Sequence, residues 1–415
     1  MITIGLRSFH HLTFLVFWLI VTSFIIFQRF PFSLFHFFIS RKLPYEAPCR
    51  RRHLHSANGV ITNKIILIEA RRSEFLALLR LARYAMVDYL VLLLFALVGY
   101  YFARYLWELL EVHGFEKKAV FISGCDSGFG RHLALKCAAS GFMVFSGCLT
   151  KEGAKSLGEE SKGHVITVSL DVTSDDSVRE AARFVEGKMG NGVELWALVN
   201  NAGVFTCYGP DDWCTIEEYK FSFDVNTLGV VRTTHAFKPL LKRSKGRIVT
   251  VTSVAGRMSS PCAGPYSAAK YAAEAYMDTI RQELRPYGIT CCILEPGAFK
   301  ATNLLDECAM ENRVEKVYSR LDDDLKKEYG EKFKINFIKK WNEVLHTFGT
   351  SRTDYVVDNY YHAITARFPR LRYRCGWDAL FFYGPLTYLP TELEDFLLWI
   401  ITRFSFYPPP NGSKN

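Results

Sequence analysis

Short apolar runs alternate with helical stretches over residues 117–294, and this alternation constrains the fold more than any other feature of the chain. Runs apolar enough to be buried strands occupy residues 119–123, 143–147, 165–169, 195–199, 247–251 and 289–294. Strands that are apolar throughout, instead of on alternate residues, are typical of a parallel sheet covered by helices on both faces. The sequence therefore predicts an α/β fold with a doubly wound parallel sheet.

A glycine-rich loop joins the first of these runs to a helix predicted over residues 129–140. The loop reads Gly124-Cys-Asp-Ser-Gly128-Phe-Gly130. Glycines allow a tight turn and let backbone N–H groups approach a diphosphate at the N-terminus of the following helix. Such spacing alone is a weak signal, but its position at the first strand–helix junction favours a dinucleotide site.

Four further polar features follow later strands or lie on predicted helices. Asn200-Asn-Ala-Gly203 closes the fourth run, where small residues would let an adenosine lie across the sheet edge. Tyr266 and Lys270 share one helix face, so the ammonium is expected to lower the pKa of the phenol towards that of a general base. Ser253 follows the fifth run, and Asn226 lies in a helical stretch, where a capping or solvent-facing role is the plain alternative.

The order and spacing of these motifs resemble the short-chain dehydrogenase/reductase family in its short form, from about residue 117 to residue 302. The resemblance implies a Rossmann-type fold, a nicotinamide cofactor, no metal, and a catalytic tetrad of Asn226, Ser253, Tyr266 and Lys270. Ser123 stands where the family usually has Thr. The implied cofactor contacts are Gly124, Asp126, Ser127, Gly128, Phe129, Gly130, Cys148, Asp171, Val172, Asn200, Asn201, Ala202, Gly203, Tyr266, Lys270, Pro296, Gly297 and Thr302.

The stretch 142–152, with Gly147-Cys-Leu-Thr-Lys-Glu152, is similar to the branch of that family that contains retinol dehydrogenases, 3α/17β-hydroxysteroid dehydrogenases and D-β-hydroxybutyrate dehydrogenase. Three later stretches are most similar to its microsomal retinol/3α-hydroxysteroid group: Glu328-Tyr-Gly-Glu-Lys-Phe333, Gly376-Trp-Asp378 and Pro385-Leu-Thr-Tyr-Leu-Pro390. The likeness implies oxidation or reduction of a lipophilic alcohol or ketone, a retinoid or hydroxysteroid. Two alternatives stay open: an enzyme like D-3-hydroxybutyrate dehydrogenase, with a cation that pairs a substrate carboxylate, and a non-catalytic membrane-associated binding protein on the same fold.

The choice between NAD and NADP depends on the end of the second strand, where an acidic residue pairs with the ribose hydroxyls of NAD. Cys148 occupies that position and decides nothing. Asp126 in the glycine loop would repel a 2′-phosphate, whereas Lys151 would attract one. Because the similar branch mostly uses NAD, the sequence favours NAD, with NADP as the alternative.

The regions around the motifs divide the chain into five predicted segments. An apolar and basic extension covers 1–85, a membrane anchor 86–113, the catalytic domain 114–305, a helical and apolar substrate cap 306–376, and an apolar membrane-associated tail 377–415. The apolar run 12–27 is shorter than the roughly 20 residues that span a bilayer. The run 90–102 has aromatic edges typical of an anchor. We expect an endoplasmic reticulum membrane, with a mitochondrial membrane as the alternative, and Met86 is a second candidate start.

The charge and the cysteine content limit the kinds of partner and metal site that the chain can have. The net charge is +9, and much of the excess lies among residues 41–83. Beside apolar runs this favours contact with membrane lipid over nucleic acid, for which no recognition motif is present. The 11 cysteines include no CxxC pair and no cluster at metal spacing, which predicts free thiols. A homodimer through the helix of Tyr266 is left open.

Overall fold

The computed structural model describes residues 57–190, 192–300, 305 and 307–405. The run 12–27 and Thr302 therefore lie outside the described residues. Contacts divide the chain into two units, Met1–Leu109 and Leu110–Asn415.

The described part of the first unit is one long helix, α1, over Ala57–Glu108. Its stretch Arg72–Glu108 has a mean hydropathy of 1.9 in its most apolar window, none of which is buried. Among the described residues this is the one helix long and apolar enough to cross a membrane, by length and composition. The helix continues without a break through residues 85 and 86, and the division proposed there stays a prediction.

The second unit is built on a sheet of seven parallel strands in the order β3-β2-β1-β4-β5-β6-β7. The order reverses between β1 and β4, which is where doubly wound sheets open a crevice at their carboxyl ends. The strands are β1 Lys118–Ser123, β2 Met143–Cys148, β3 Val165–Ser169, β4 Glu194–Asn200, β5 Arg247–Val251, β6 Thr290–Pro296 and β7 Arg372–Cys375.

Helices connect these strands and follow the last one. They are α2 Gly128–Ala139, α3 Lys151–Glu160, α4 Asp175–Lys188, α5 Ile216–Phe223, α6 Gly229–Ser244, α7 Gly264–Leu284, α8 Glu307–Ser319, α9 Asp323–Tyr329, α10 Glu331–Phe348, α11 Asp354–Thr365 and α12 Thr391–Ser405. Two π-helical turns, Asp224–Leu228 and Ala379–Tyr383, precede α6 and the short segment Gly384–Leu386.

Apolar side chains form a separate core on each face of the sheet. Leu133 of α2 and Tyr360 of α11 pack on one face, and Phe237 of α6 and Met277 of α7 pack on the other. The strands between them are buried on both sides; all five residues of β5, for example, are buried. Burial on both faces confirms the predicted doubly wound α/β fold and explains why the strands read as continuous apolar runs.

The sequence did not predict α11 and β7, which lie inside the segment assigned to the substrate cap. The structure places α11 against α2, and β7 beside β6 in the sheet. Strand β7 reads Arg-Tyr-Arg-Cys, with two arginines where a central strand would be apolar. A polar four-residue strand at the sheet edge leaves no apolar run by which to recognise it.

Arg372 explains why this strand is polar, because its guanidinium binds three carboxylates. It pairs with Glu274 and Asp278 of α7 and with Glu295 of β6, at 2.6 Å from Asp278 and 2.5 Å from Glu295. Glu274 and Glu295 are only 4% and 2% exposed. Buried carboxylates need such a partner, since an unpaired buried charge strongly destabilises a fold. The cluster therefore fixes the edge strand to α7.

Candidate active site

A cavity of about 450 Å³ opens at the carboxyl ends of the strands, on the side of the switch between β1 and β4. It brings together most of the residues that the motifs singled out. Gly130, Cys148, Asn200 and Asn226 do not line it, and Thr302 lies outside the described residues. The predicted residues on its wall are Gly124, Asp126, Ser127, Gly128, Phe129, Asp171, Val172, Asn201, Ala202, Gly203, Ser253, Tyr266, Lys270, Pro296 and Gly297.

The glycine loop is held in backbone contact with the end of β4. Gly124 has φ +69°, and a Cβ added there would lie 2.7 Å from Ala202 Cα. A Cβ on Gly130 would lie 2.5 Å from the Gly124 carbonyl oxygen and from Asn201 Nδ2. Helix α2 begins at Gly128, and its first two residues, Gly128 and Phe129, line the cavity. The loop therefore offers the bare backbone and helix N-terminus that a dinucleotide diphosphate requires.

We expect Gly124→Ala to destabilise the protein more than Gly163→Ala does. Both glycines have positive φ, +69° and +80°, but a Cβ on Gly163 would meet nothing within 4 Å. Gly163→Ala should therefore cost only backbone strain, about 1 kcal/mol, whereas Gly124→Ala adds an overpacking cost of about 1–3 kcal/mol. Thermal unfolding of both variants tests this, and equal losses of stability would contradict the close approach of the two loops.

The two asparagines that end β4 have different roles. Asn201 Nδ2 donates to the carbonyl oxygens of Ser123 (3.0 Å) and Gly124 (2.9 Å), so it fixes the glycine loop. Asn200 is turned into the interior, where Thr233 donates to its side-chain oxygen at 2.7 Å and its Nδ2 donates to two further threonine hydroxyls. The run at 200–203 therefore shapes the switch point, and of its two asparagines Asn201 lines the cavity while Asn200 does not.

Carboxylates stand at the two predicted positions around the cofactor end of the cavity. Asp126 accepts hydrogen bonds from the backbone N–H groups of Leu149 (2.9 Å) and Thr150 (2.8 Å), directly after β2. Asp171 accepts from the backbone N–H of Thr173 at 2.9 Å. Cys148 is buried behind this wall, where burial and then the Asp126 charge raise the pKa of its thiol to about 12. Negative charge therefore borders the place where the second strand ends.

Tyr266, Lys270 and Ser253 converge on the opposite half of the cavity. Tyr266 and Lys270 lie one turn apart on α7, and Lys270 Nζ lies 5.7 Å from the centre of the Tyr266 ring. The ammonium also donates to the Val251 carbonyl at 3.2 Å. Ser253 follows β5, and its hydroxyl is close enough to Tyr266 to lower the pKa of the phenol. One donor–acceptor group and one buried cation are therefore in place around a single phenol.

Burial moves the pKa values of the pair in opposite directions. It raises the pKa of Tyr266 to about 12, because the phenolate is desolvated, and the nearby Ser253 hydroxyl offsets only part of this. It lowers the pKa of Lys270 to about 8, against the attraction of Glu274, which raises it. Desolvation therefore dominates the pKa of the phenol, and the lowering of that pKa by Lys270 stays a prediction.

Asn226 is fully buried in the π-helical turn Asp224–Leu228. Its Oδ1 accepts from the Val204 N–H at 3.0 Å, and its Nδ2 donates to the Val204 carbonyl at 2.9 Å. A Cβ on Gly203 would lie 3.1 Å from Asn226 Oδ1 and 3.5 Å from Lys270 Nζ. The Asn226 amide therefore lies behind Gly203, near Lys270. The alternative prediction, that Asn226 faces solvent, is wrong.

The rest of the cavity wall is almost entirely apolar. Among the described lining residues only Asp126, Asp171 and Lys270 carry charge. The sequence pointed to an apolar segment here without naming its members, because residues from separate helices meet only in the folded chain. The apolar and aromatic lining residues beyond the motifs include Phe205, Tyr208, Phe221, Met258, Leu305, Trp341, Val344, Leu345, Phe348 and Tyr383.

Comparisons with known proteins place the relatives of this chain in one family. The family model described as short chain dehydrogenase matches residues 118–312. The chain is 45% identical over 315 residues to 3beta-hydroxysteroid dehydrogenase dhs-16 of Caenorhabditis elegans, covering 74% of this chain and 81% of that protein. It is 39% identical over 315 residues to retinol dehydrogenase 7 of Rattus norvegicus, covering 74% and 96%.

Solved structures share the fold. A short chain dehydrogenase/reductase from Burkholderia phymatum in complex with NAD has a TM-score of 0.54 at 22% identity, covering 73% of this chain and 100% of that one. A short chain dehydrogenase from Burkholderia cenocepacia in complex with NADP has a TM-score of 0.51 at 21% identity, covering 68% and 97%. With the sequence relatives, they establish that this chain belongs to the short-chain dehydrogenase/reductase family, in the group of the retinol and hydroxysteroid dehydrogenases, and is an oxidoreductase acting on CH–OH groups.

Proposed function

We propose that this protein oxidises a lipophilic alcohol, or reduces the corresponding ketone or aldehyde, with NAD(H) and with Tyr266 as general acid/base. The apolar wall beside Tyr266 is the observation that carries the proposal. A retinoid or hydroxysteroid would bury its hydrocarbon against this wall with its oxygen at Tyr266 and Ser253. The names of the relatives, a retinol dehydrogenase and a hydroxysteroid dehydrogenase, support the same substrate class.

The alternative substrate, a small hydroxy acid, would have no cation besides Lys270 to bind its carboxylate among the described residues that line this cavity. A substrate carboxylate would need a cation other than Lys270, and no other described lining residue supplies one. Arg313, Lys316 and Arg320 line a neighbouring cavity to which Tyr266 does not contribute. Arg320 is already paired with Glu218. The charge distribution therefore favours the lipophilic substrate.

The residues of the site fit a nicotinamide dinucleotide, because the bare glycine loop provides a diphosphate cradle and Lys270 stands beside Gly203. When bound, the cofactor supplies the hydride acceptor or donor. Tyr266 removes the proton of the alcohol hydroxyl during oxidation and donates a proton to the carbonyl oxygen during reduction. Lys270 binds ribose hydroxyls and stabilises negative charge on the phenol, Ser253 holds the substrate oxygen, and Asn226 supports a water relay to Lys270. All four residues of the implied tetrad lie in or next to this cavity, which favours an enzyme over a non-catalytic binding protein.

The charges at the adenosine end favour NAD over NADP. Asp126 is fixed beside the end of β2 by its three hydrogen bonds, two from backbone N–H groups and one from the Thr150 hydroxyl. A 2′-phosphate there would face this carboxylate. No lysine or arginine is among the described residues that line that end of the cavity. Two cations lie near it and oppose this argument: Lys151 begins α3, and Arg131, which donates to the Asp126 carbonyl, is already paired with Glu160. NAD, which carries hydroxyls instead, can donate hydrogen bonds to a carboxylate.

The same chain offers membrane contacts that suit a lipophilic substrate. Helix α1 supplies the apolar stretch Arg72–Glu108. The C-terminal segment exposes aromatic side chains of the kind that occupy lipid interfaces, namely Trp377, Phe381, Tyr388, Phe396 and Trp399. We therefore propose that the enzyme is bound to a membrane. On the likeness to the microsomal retinol and hydroxysteroid dehydrogenases we propose the endoplasmic reticulum, with a mitochondrial membrane as the alternative. A homodimer through α7 is retained as a proposal on the sequence argument alone.

Turnover of a substrate panel tests the proposal. Detergent-solubilised protein would be given all-trans-retinol, 3α- and 17β-hydroxysteroids and D-3-hydroxybutyrate, each with NAD and with NADP at equal concentration. We expect activity on a retinoid or hydroxysteroid and a higher kcat/KM with NAD. Activity on hydroxybutyrate alone would contradict the substrate class, and a clear preference for NADP would contradict the cofactor assignment.

A further inference from the structure

Asp378 is a buried carboxylate just after β7, and it binds the turn that follows β6. Its side chain is only 6% exposed, and its Oδ2 accepts a hydrogen bond from the Ala298 N–H at 2.6 Å. The neighbouring Gly297 N–H donates to the Cys375 carbonyl at 2.9 Å. Two hydrogen bonds therefore attach the turn at residues 296–298 to the beginning of the C-terminal segment.

The carboxylate lies directly against the backbone of two glycines. A Cβ on Gly297 would be 2.1 Å from Asp378 Oδ2 and 2.2 Å from its Oδ1. A Cβ on Gly376, which has φ +104°, would be 2.6 Å from Oδ1. No side chain fits at either position while Asp378 stays in place. The position of the turn is thus set by direct contact with this carboxylate as well as by the hydrogen bonds.

The turn that Asp378 holds forms part of the active-site wall. Pro296, Gly297 and Ala298 all line the cavity, and the Ser253 hydroxyl donates to the Pro296 carbonyl at 3.5 Å. Tyr383, at the end of the π-helical turn that follows Asp378, lines the cavity too. Tyr383 therefore belongs to the site, although the sequence assigned it to a membrane-associated tail.

We propose that Asp378 is a positioning residue that holds the turn at residues 296–298 where it can bind the nicotinamide half of the cofactor. This inference rests on the proposed function and on the family resemblance, which implies that Pro296 and Gly297 belong to the loop that holds the nicotinamide amide. Asp378 does not touch the reacting atoms; it acts through the backbone of Gly297 and Ala298. Through it, the segment that follows β7 influences cofactor binding from outside the glycine loop.

Binding of NADH and of ADP-ribose by the full chain in detergent tests the proposal. ADP-ribose lacks the nicotinamide, so it reports the rest of the site. We expect Asp378→Ala to weaken NADH binding about tenfold, the effect of losing one charge-assisted hydrogen bond, with ADP-ribose binding unchanged. Asp378→Asn keeps one acceptor oxygen and should fall between wild type and Asp378→Ala. Asp395→Asn, on an exposed carboxylate of α12, is the matched control.

The outcomes separate this inference from the proposed function, because binding is measured without an alcohol. Equal losses for NADH and ADP-ribose would show a general structural role and overturn the inference, as would unchanged NADH binding. Inactivity of the wild type on the whole substrate panel would instead count against the proposed function. The thermal unfolding midpoint of each variant, compared with that of the wild type, checks that the variant is folded.

A second variant pair tests the contact itself. The new methyl group of Gly297→Ala would collide with the Asp378 carboxylate, so we expect a large loss of NADH affinity. Removing the carboxylate makes room for that methyl group. Gly297→Ala/Asp378→Ala should therefore bind NADH at least as well as Gly297→Ala alone. Losses that simply add would show that the two residues act independently and would overturn the proposal.

Discussion

Tyr266→Phe is expected to reduce turnover by about 10²–10⁴-fold, the usual contribution of a general acid/base. The phenol is buried, and the Ser253 hydroxyl and Lys270 lie near it. Removing its hydroxyl leaves the cavity shape intact, so NADH affinity should change little. The effect should therefore appear in kcat and not in the dissociation constant of the cofactor.

Steady-state turnover of the preferred alcohol, with NADH binding measured in parallel, checks this result. Tyr271→Phe is the matched control, because Tyr271 lies on the same helix but is 41% exposed and does not line the cavity. Its turnover should stay close to that of the wild type. Substantial activity in Tyr266→Phe would remove Tyr266 from the mechanism and leave the assignment of the acid/base open to another group.

Lys270→Met is expected to abolish most turnover and at the same time to stabilise the fold at neutral pH. The ammonium is 2% exposed, and burial lowers its pKa from 10.5 to about 8. The native state therefore carries a desolvated charge at pH 7, which methionine removes while keeping a similar volume. Such a pair of effects is expected where a site is kept at the expense of stability.

The stabilising effect of Lys270→Met should depend on pH, because the pKa of Lys270 differs between the native and the unfolded chain. Between pH 8 and 10.5 the unfolded chain holds a proton on Lys270 that the native chain has lost, so this group makes stability rise with pH over that window. We expect the stability difference between variant and wild type to be on the order of 1–3 kcal/mol at pH 7 and to vanish above pH 10.5. Other groups titrate in the same pH range, but they contribute equally to the stability of both proteins, so their contributions cancel in the difference.

Thermal midpoints in detergent at pH 7.5 and pH 10 would measure that difference. A variant that is less stable than the wild type at pH 7.5, by an amount that does not change at pH 10, would show that Lys270 is charged at little cost. Its pKa would then lie nearer the ordinary value than the structure indicates. Loss of NADH affinity in the same variant would separately report contact with the ribose.

The sequence predicts the parts of this protein whose chemistry is local. Each of the six longer strands contains an apolar run, and the glycine loop and the Tyr266–Lys270 spacing each act within one turn or one helix. The parts it misses depend on distant partners: β7 is recognisable only beside the carboxylates that Arg372 binds. Likewise, the inward turn of Asn200 depends on threonines from α6 and β5.

The position of Asp378 illustrates the same limit at the active site. Gly376-Trp-Asp378 is visible as a motif, but nothing near it in the chain indicates that its carboxylate meets Gly297. The apolar wall is similar, since Trp341 and Phe348 come from α10 while Phe205 follows β4. Composition predicts an apolar pocket, whereas only the packed helices decide which residues line it.

The Arg372 cluster also sets an order of events for a growing chain. Glu274 and Glu295 leave the ribosome well before Arg372, the residue that later neutralises them. At an elongation rate of about 5–20 residues per second, the nascent domain waits several seconds with two carboxylates that cannot yet be buried. Helix α7 and the edge of β6 should therefore remain open until translation passes β7. A ribosome-bound chain stalled before Arg372 would present an unfinished sheet edge, which makes this interval the time at which a chaperone is needed most.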